Sequence, residues 1–268
     1  MADRAREFIA GNQQPATPRD AATVMLLRQG DEGLEVYMLR RKPSMAFAPG
    51  AMVFPGGSVD PRDADDRIAW TGPAAAEWGQ IFDAPPELAR ALVCAAVRET
   101  FEESGVLLAG ESAESVVADT TSDEWEADRQ ALLDRSLSLA ELLSRRRLVL
   151  RSDLLRAWSR WITPVIEPRR FDTRFFAAAL PAGQRTRDVG GEASAVAWIA
   201  PAEALAAGRR RELALMPPTM VSLTELAACG NLETVLTGPR TVAPIIPEVQ
   251  LREGAVWLTV PGIREYPA

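Results

Sequence analysis

The sequence predicts an α/β protein, and three observations carry that reading. Two short apolar runs, residues 21–27 and 34–39, flank the turn Asp31-Glu32-Gly33, the pattern of a strand hairpin. Pro85-Pro86 lead into a breaker-free run of Leu, Ala, Val and Arg over residues 87–97, which continues toward Gly105 as a helix would. Further apolar runs, in the second half of residues 169–181 and over 195–199, then restore strand character.

Taken in order, residues 1–18 are polar, carry Pro15 and Pro18, and read as a tail ahead of a single domain over residues 19–268. After the hairpin, residues 45–57 are loop-like, with two prolines and three glycines around Met52-Val53-Phe54. Gly56 and Gly57 would allow the backbone to approach a ligand closely. Residues 58–86 read as a loop with a short helix, and Val106-Leu107-Leu108 as a strand after the central helix. Residues 110–157 are expected to form a helical insertion, with helical spacing through 125–143 and 147–158. Gly190-Gly191-Glu192 is a turn before the strand at 195–199. Helices are expected from Pro201 and from Met216-Pro217-Pro218 to about Cys229, and closing strands around residues 256–260.

Composition excludes several kinds of chemistry. With 268 residues and 47% hydrophobic composition the chain can bury a substantial core. A net charge of −7 argues against a general binder of nucleic acid or anionic membrane. There is no histidine, which removes histidine triads, histidine-ligated zinc and histidine acid–base catalysis and leaves carboxylates as candidate bases. The two cysteines, Cys94 and Cys229, are too few and too far apart for a disulfide framework. With neither a signal-like apolar start nor a long apolar run, a cytoplasmic protein is expected.

The central helix carries the chemistry. Glu99, Glu102 and Glu103 are spaced i, i+3, i+4, so their carboxylates share one face. Like charges at that spacing repel by roughly 0.2–0.5 kcal/mol per pair, and a helix C-terminus disfavours anions. Val93, Val97 and Phe101 form one apolar stripe, while Leu88, Leu92, Ala95 and Ala96 lie on the carboxylate side. A helix apolar on both sides is expected to be buried, so its acids call for a compensating cation. Mg²⁺ or Mn²⁺, which take oxygen ligands, are the candidates.

Arg98-Glu99-Thr100-Phe101-Glu102-Glu103-Ser104-Gly105-Val106 resembles the end of the Nudix box, G-x5-E-x7-R-E-U-x-E-E-x-G-U, and Phe54-Pro55-Gly56-Gly57 resembles its opening. The resemblance implies a Nudix α/β/α sandwich with a mixed sheet, here with a helical insertion. Arg98 stands 41 residues after Gly57, whereas the box puts it 14 after, so roughly 27 residues interrupt the box at about 58–86. The box's first Glu is also displaced: its usual position falls on Arg90, and Glu87 is the nearest substitute. The resemblance further implies water attack on a phosphorus of a nucleoside diphosphate linked to another group. Glu99, Glu102 and Glu103 would be metal ligands, with Arg98 orienting them. Glu192, a few residues before Trp198, matches the place where Nudix enzymes recruit a further acid.

Leu39-Arg40-Arg41, Trp161-Ile162-Thr163-Pro164, residues 169–176 and Pro217-Pro218-Thr219 are similar to the coenzyme A diphosphatase branch related to the peroxisomal enzyme of animals. That branch implies coenzyme A or acyl-coenzyme A as substrate, with Arg41, Arg169, Arg170 and Arg174 meeting phosphates. A related coenzyme A signature has an Arg where this chain has Ala46. The chain ends in Glu265-Tyr266-Pro267-Ala268, which is not a peroxisomal address, so a bacterial cytoplasmic relative is expected. The rivals are a Nudix pyrophosphatase for ADP-ribose, NADH or another dinucleotide, and a ligand-binding module without turnover, against which the three box acids speak. The expected partner is a small nucleotide substrate, and a homodimer stays open as the assembly.

Overall fold

Strands β1 (Arg19–Gly30) and β2 (Gly33–Arg41) form the expected antiparallel hairpin, with Gly30 paired to Gly33 at its tip. The structure, a computed structural model, describes residues 7–8, 11, 14–44, 48–187, 193–252, 255–260 and 264–267. Short strands β3 (Ala51–Val53), β4 (Gly56–Ser58) and β5 (Trp70–Thr71) follow, then helices α1 (Ala75–Phe82) and α2 (Pro86–Ser104). Strand β6 (Ala109–Gly110), helices α3 (Asp123–Leu133) and α4 (Leu139–Arg146) and strand β7 (Val149–Arg151) come next. Strands β8 (Arg156–Ile162), β9 (Phe171–Ala179) and β10 (Ala193–Ile199) precede helix α5 (Pro201–Arg209), strand β11 (Ala214–Leu215) and helices α6 (Pro217–Cys229) and α7 (Leu232–Thr237). The C-terminal strands are β12 (Pro244–Ile245), β13 (Glu248–Arg252), β14 (Ala255–Val260) and β15 (Arg264–Pro267).

Among the described residues nine strands form the main sheet, ordered β11-β3-β2-β1-β9-β8-β12, with β10 beside β2 and β4 beside β1. The sheet is mixed: β1 runs parallel to β9 but antiparallel to β2 and β4. Its centre is buried on both faces, which is why residues 21–27 read as one apolar run. Alternation still sorts the side chains. Ala22, Val24 and Leu26 enter the core on the α2 side, while Met25 and Leu27 enter the core shared with Ala204 of α5 and Val221, Leu223 and Leu226 of α6. Helices on both faces make the α/β/α sandwich that the motif implied.

Helix α2 is the axis of the larger core. Pro86 occupies its first turn and Gly105 ends it in the left-handed conformation, φ 74°. Every residue from 91 to 98 is buried, and Val93, Val97 and Phe101 are each worth roughly 1.5–3 kcal/mol on burial. Its C-terminal carbonyls are taken up from outside: Arg129 Nη1 donates to Glu102 O at 2.7 Å, Thr120 Oγ1 to Gly105 O at 2.6 Å and Arg187 N to Ser104 O at 2.9 Å. Partners brought from α3 and distant loops thus satisfy the end of the helix that bears the acids.

Two local expectations are corrected. Val106-Leu107-Leu108 is not a strand; only Ala109–Gly110 pairs, as β6. The buried backbone of Leu107 is instead satisfied by one side chain, Gln184, which accepts from its N–H and donates to its carbonyl, both at 2.9 Å. Residues 147–158 are not helical but form β7, a turn and the start of β8. Leucines at 148, 150, 154 and 155 fit a helical period, yet residues 156–162 pair with β9 across a register shift between Ala157 and Ser159, and that pairing decides the outcome. Residues 125–143 are likewise broken into α3 and α4, each opened by a serine cap, Ser122 and Ser138. Among the described residues no helix is long and apolar enough to cross a membrane.

Candidate active site

The last two turns of α2 present Arg98, Glu99, Glu102 and Glu103 to a cleft of about 1690 Å³ that runs past β4 and the end of α3. Arg98, 8% exposed, is the hub. Its Nη1 donates to Glu99 Oε1 at 2.7 Å and reaches Glu102 at 3.3–3.4 Å, and its Nη2 donates to Ser58 O at 3.0 Å. The strongest clamp comes from a residue that the motif did not point to. Asp63, 1% exposed, accepts from Arg98 Nε at 2.9 Å and from Nη2 at 2.8 Å, a bidentate pair.

Asp63 lies in the interruption of the box. The chain enters a 3-10 turn, Pro61–Ala64, capped by Asp60, and Asp63 Oδ2 accepts from the Asp60 N–H at 2.8 Å. Asp-Pro-x-Asp is a capping-box spacing, so this turn was available to sequence reasoning although its partner was not. Glu87 does not substitute for the displaced box acid. It is exposed in the first turn of α2, 11 residues and about 17 Å along the helix from Arg98. Arg90, at the box position itself, instead lies over the Trp70 ring at 5.0 Å.

The glycine strand closes on the acids from the other side. Gly56 N donates to Glu103 Oε2 at 2.8 Å. A Cβ on Gly57 would stand 2.6 Å from the Glu99 carboxyl carbon, and one on Gly56 would stand 2.5 Å from Ala22 O. The two substitutions should therefore differ. Gly57→Ala meets the movable end of a side chain, so melting should shift by less than about 1 kcal/mol equivalent while turnover falls roughly tenfold or more. Gly56→Ala meets backbone of β1 and should cost about 1–3 kcal/mol of stability. Thermal melts and steady-state kinetics on the pair check this; equal loss of stability in both would refute the assignment of Gly57 to Glu99.

Burial is the dominant electrostatic effect. It pushes the Glu99 carboxyl up to about 7, against the pull of Arg98 and with Glu102 adding repulsion. Burial also raises Glu102, opposed by Arg98 and more weakly by Arg135. One guanidinium shared among three acids leaves excess negative charge, and the donors are all carboxylate oxygens, which suits a hard divalent cation. The expected convergence of three ligands is not seen: among the described residues no three acidic side chains gather at metal-holding geometry. Glu99 and Glu102 turn toward Arg98, while Glu103 turns to Gly56. Mg²⁺ is ordinarily held by one or two carboxylates together with water and substrate phosphate, so the donor set fits that ion without a closed protein cage.

Of the arginines expected to meet phosphates, the structure brings Arg41 and Arg169 to the cleft, Arg41 from the end of β2 and the exposed Arg169 from the loop between β8 and β9. Two others have structural duties. Arg170 donates to Thr163 O at 3.0 Å and to Ala16 O at 2.8 Å, and does not line the cleft. Arg174, 1% exposed in β9, pairs with Asp20 at 2.6 Å and Asp172 at 3.2 Å and so ties β9 to β1. Glu192 and Ala46 lie outside the described residues. Sequence reasoning missed Asp60, Arg62 and Arg135, all of which line the cleft beside the acids.

Comparison with known proteins places the chain in a family. The family model of the NUDT19 Nudix domain matches residues 74–226, more than half of the chain. A Xenopus laevis protein named acyl-coenzyme A diphosphatase NUDT19 is 28% identical over 278 positions, 87% of this chain and 71% of that protein. The putative nudix hydrolase 7 of Caenorhabditis elegans is 30% identical over 230 positions, 86% of this chain and 68% of that protein. A crystal structure of a Nudix hydrolase from Alicyclobacillus acidocaldarius superposes with a TM-score of 0.70 at 29% identity, covering 85% of this chain and 99% of that one. The interrupted box, the sandwich that carries it and these likenesses agree: the chain belongs to the Nudix family, as a hydrolase with a NUDT19-type Nudix domain.

Proposed function

We propose that this hydrolase cleaves the diphosphate of coenzyme A or acyl-coenzyme A, giving 3′,5′-ADP and the 4′-phosphopantetheine part. A water oxygen bonds to one phosphorus, the bridging P–O bond breaks, and the departing phosphate keeps the electron pair. The observation that carries the reading is the layout of the cleft. It is lined by the acid cluster together with Arg41 and Arg169, on other elements, and its volume of about 1690 Å³ leaves room for a nucleotide with a second arm. Similarity to relatives named acyl-coenzyme A diphosphatase supports the same substrate class. Glu99, Glu102 and Glu103 would hold Mg²⁺ or Mn²⁺, which when bound screens the diphosphate and activates water. Arg98 holds Glu99 and Glu102 in register, and Asp63 fixes Arg98.

Coenzyme A differs from ADP-ribose, NADH and diadenosine compounds by its 3′-phosphate, so a site for it needs a cation with no duty toward the diphosphate. Arg169, exposed at the cleft, is our candidate. One bidentate contact is worth roughly 1.5–3 kcal/mol, or about ten- to a hundredfold in selectivity. A panel of coenzyme A, acetyl- and longer acyl-coenzyme A, dephospho-coenzyme A, ADP-ribose and NADH, each with Mg²⁺ and with Mn²⁺, tests the reading. Coenzyme A is expected to exceed its dephospho form in kcat/KM by that factor, and Arg169→Ala to remove the preference while sparing the dephospho form. Faster cleavage of ADP-ribose or NADH than of any coenzyme A species would overturn the substrate assignment.

A further inference from the structure

We infer that Arg135, on the turn that ends α3, binds the substrate's diphosphate, and that the two insertions of this chain cooperate to hold it beside the acid cluster. The inference rests on the diphosphatase reading above and adds a ligand that neither the box nor the coenzyme A signature supplies.

Three arginines beside the acids are already engaged. Arg98 is occupied by Asp63, Glu99 and Glu102. Arg129, 2% exposed, gives Nη1 to Glu102 O and its other donors to Glu126. Arg62 chelates Asp60 through Nε and Nη2, both at 3.0 Å. Arg135 also lines this side of the cleft, yet it is exposed and, among the described residues, its guanidinium makes no hydrogen bond or ion pair, acting on Glu102 only through its charge. A diphosphate lying on the acids through a divalent ion still has oxygens that the ion does not reach. A free planar fork is the group suited to them.

Position as well as charge marks Arg135. Its backbone is left-handed, φ 59°, a conformation that favours glycine or asparagine. Arg147 and Arg211 end helices in the same way, so the conformation alone carries nothing. All three donate their N–H to the carbonyl three residues back, at 2.9–3.1 Å. What distinguishes Arg135 is that its own carbonyl accepts from Arg62 Nη1 at 3.0 Å. Arg62 belongs to the turn whose Asp63 clamps Arg98. One short segment of the interrupted box therefore sets both the arginine that organises the acids and the turn that carries Arg135.

Arg135→Gly provides the test, because it relieves the backbone strain while removing the fork. Melting temperature should stay equal or rise. On whichever diphosphate the wild type cleaves, kcat/KM should fall about ten- to a hundredfold, and the affinity for ADP in Mg²⁺, measured by calorimetry, should fall in step. Arg135→Lys should recover only part of the loss, since it restores the charge without the fork. Arg135→Gly within twofold of wild type in both kcat/KM and ADP affinity would overturn the inference, as would a lowered melting temperature accompanied by normal ADP binding. Should the wild type cleave none of the diphosphates yet bind ADP more tightly than Arg135→Gly, the diphosphatase reading fails and the ligand role of Arg135 stands.

Discussion

Glu102→Gln and Glu103→Gln should each lower turnover at least about a hundredfold, while the protein melts at the same temperature or higher. Both changes keep volume and a carbonyl acceptor but remove the charge that a divalent ion requires. Glu102 is buried, and its contacts with Arg98 are long, 3.3–3.4 Å, so little pairing energy is lost. Burial already penalises its ionised form, and neutralising it also removes repulsion with Glu99. Glu103 accepts from Gly56 N, a contact the Gln oxygen can keep. A second readout separates metal loss from misfolding. At 100 times its dissociation constant an ion adds about 2.7 kcal/mol of stability, and each kcal/mol moves melting by about 2–4 °C in a chain of this size. Mg²⁺ should thus raise the wild-type melting temperature over that in EDTA by roughly 5–10 °C and the variants by much less. Wild-type activity in both variants would place the chemistry elsewhere.

What could be read in the sequence follows from how local each signal is. The β1–β2 hairpin, α2 and α6 announce themselves through nearby residues: a glycine turn, a proline start, a glycine end. The same holds for Arg98, Glu99, Glu102 and Glu103, which one helix brings together by its own period. Features set by distant partners were not legible. Residues 106–108 look like a strand because they are apolar, and only the fold reveals that Gln184 substitutes for a neighbouring strand. Arg174 and Arg169 are indistinguishable in sequence, yet pairing of β9 with β1 buries the first against Asp20, while a loop leaves the second at the cleft. Asp63 is the plainest case. The position of the box's first acid holds Arg90, and the acid that clamps Arg98 comes from a turn 35 residues upstream in sequence but adjacent in space.

That placement makes Asp63→Asn the most damaging conservative change we expect outside the box itself. Asp63 and Arg98 are 1% and 8% exposed, and their bidentate pair at 2.8–2.9 Å is the best formed of the three that Arg98 makes. Asparagine would turn an NH2 donor toward the guanidinium in place of a bidentate acceptor, and breaking a buried pair typically costs about 3–5 kcal/mol. At about 2–4 °C per kcal/mol, the melting temperature should fall by roughly 6–20 °C. Arg98 can retain Glu99 and Glu102, so the folded fraction should keep some turnover, with kcat reduced more than KM because the acids are misplaced while the rest of the cleft is intact. A double-mutant cycle isolates the pair: Asp63→Asn and Arg98→Met together should cost less than the sum of the two single changes. If Asp63→Asn melted within about a degree of wild type, or if the two changes were additive to within about 0.5 kcal/mol, the inserted turn would not be what holds the box arginine in place.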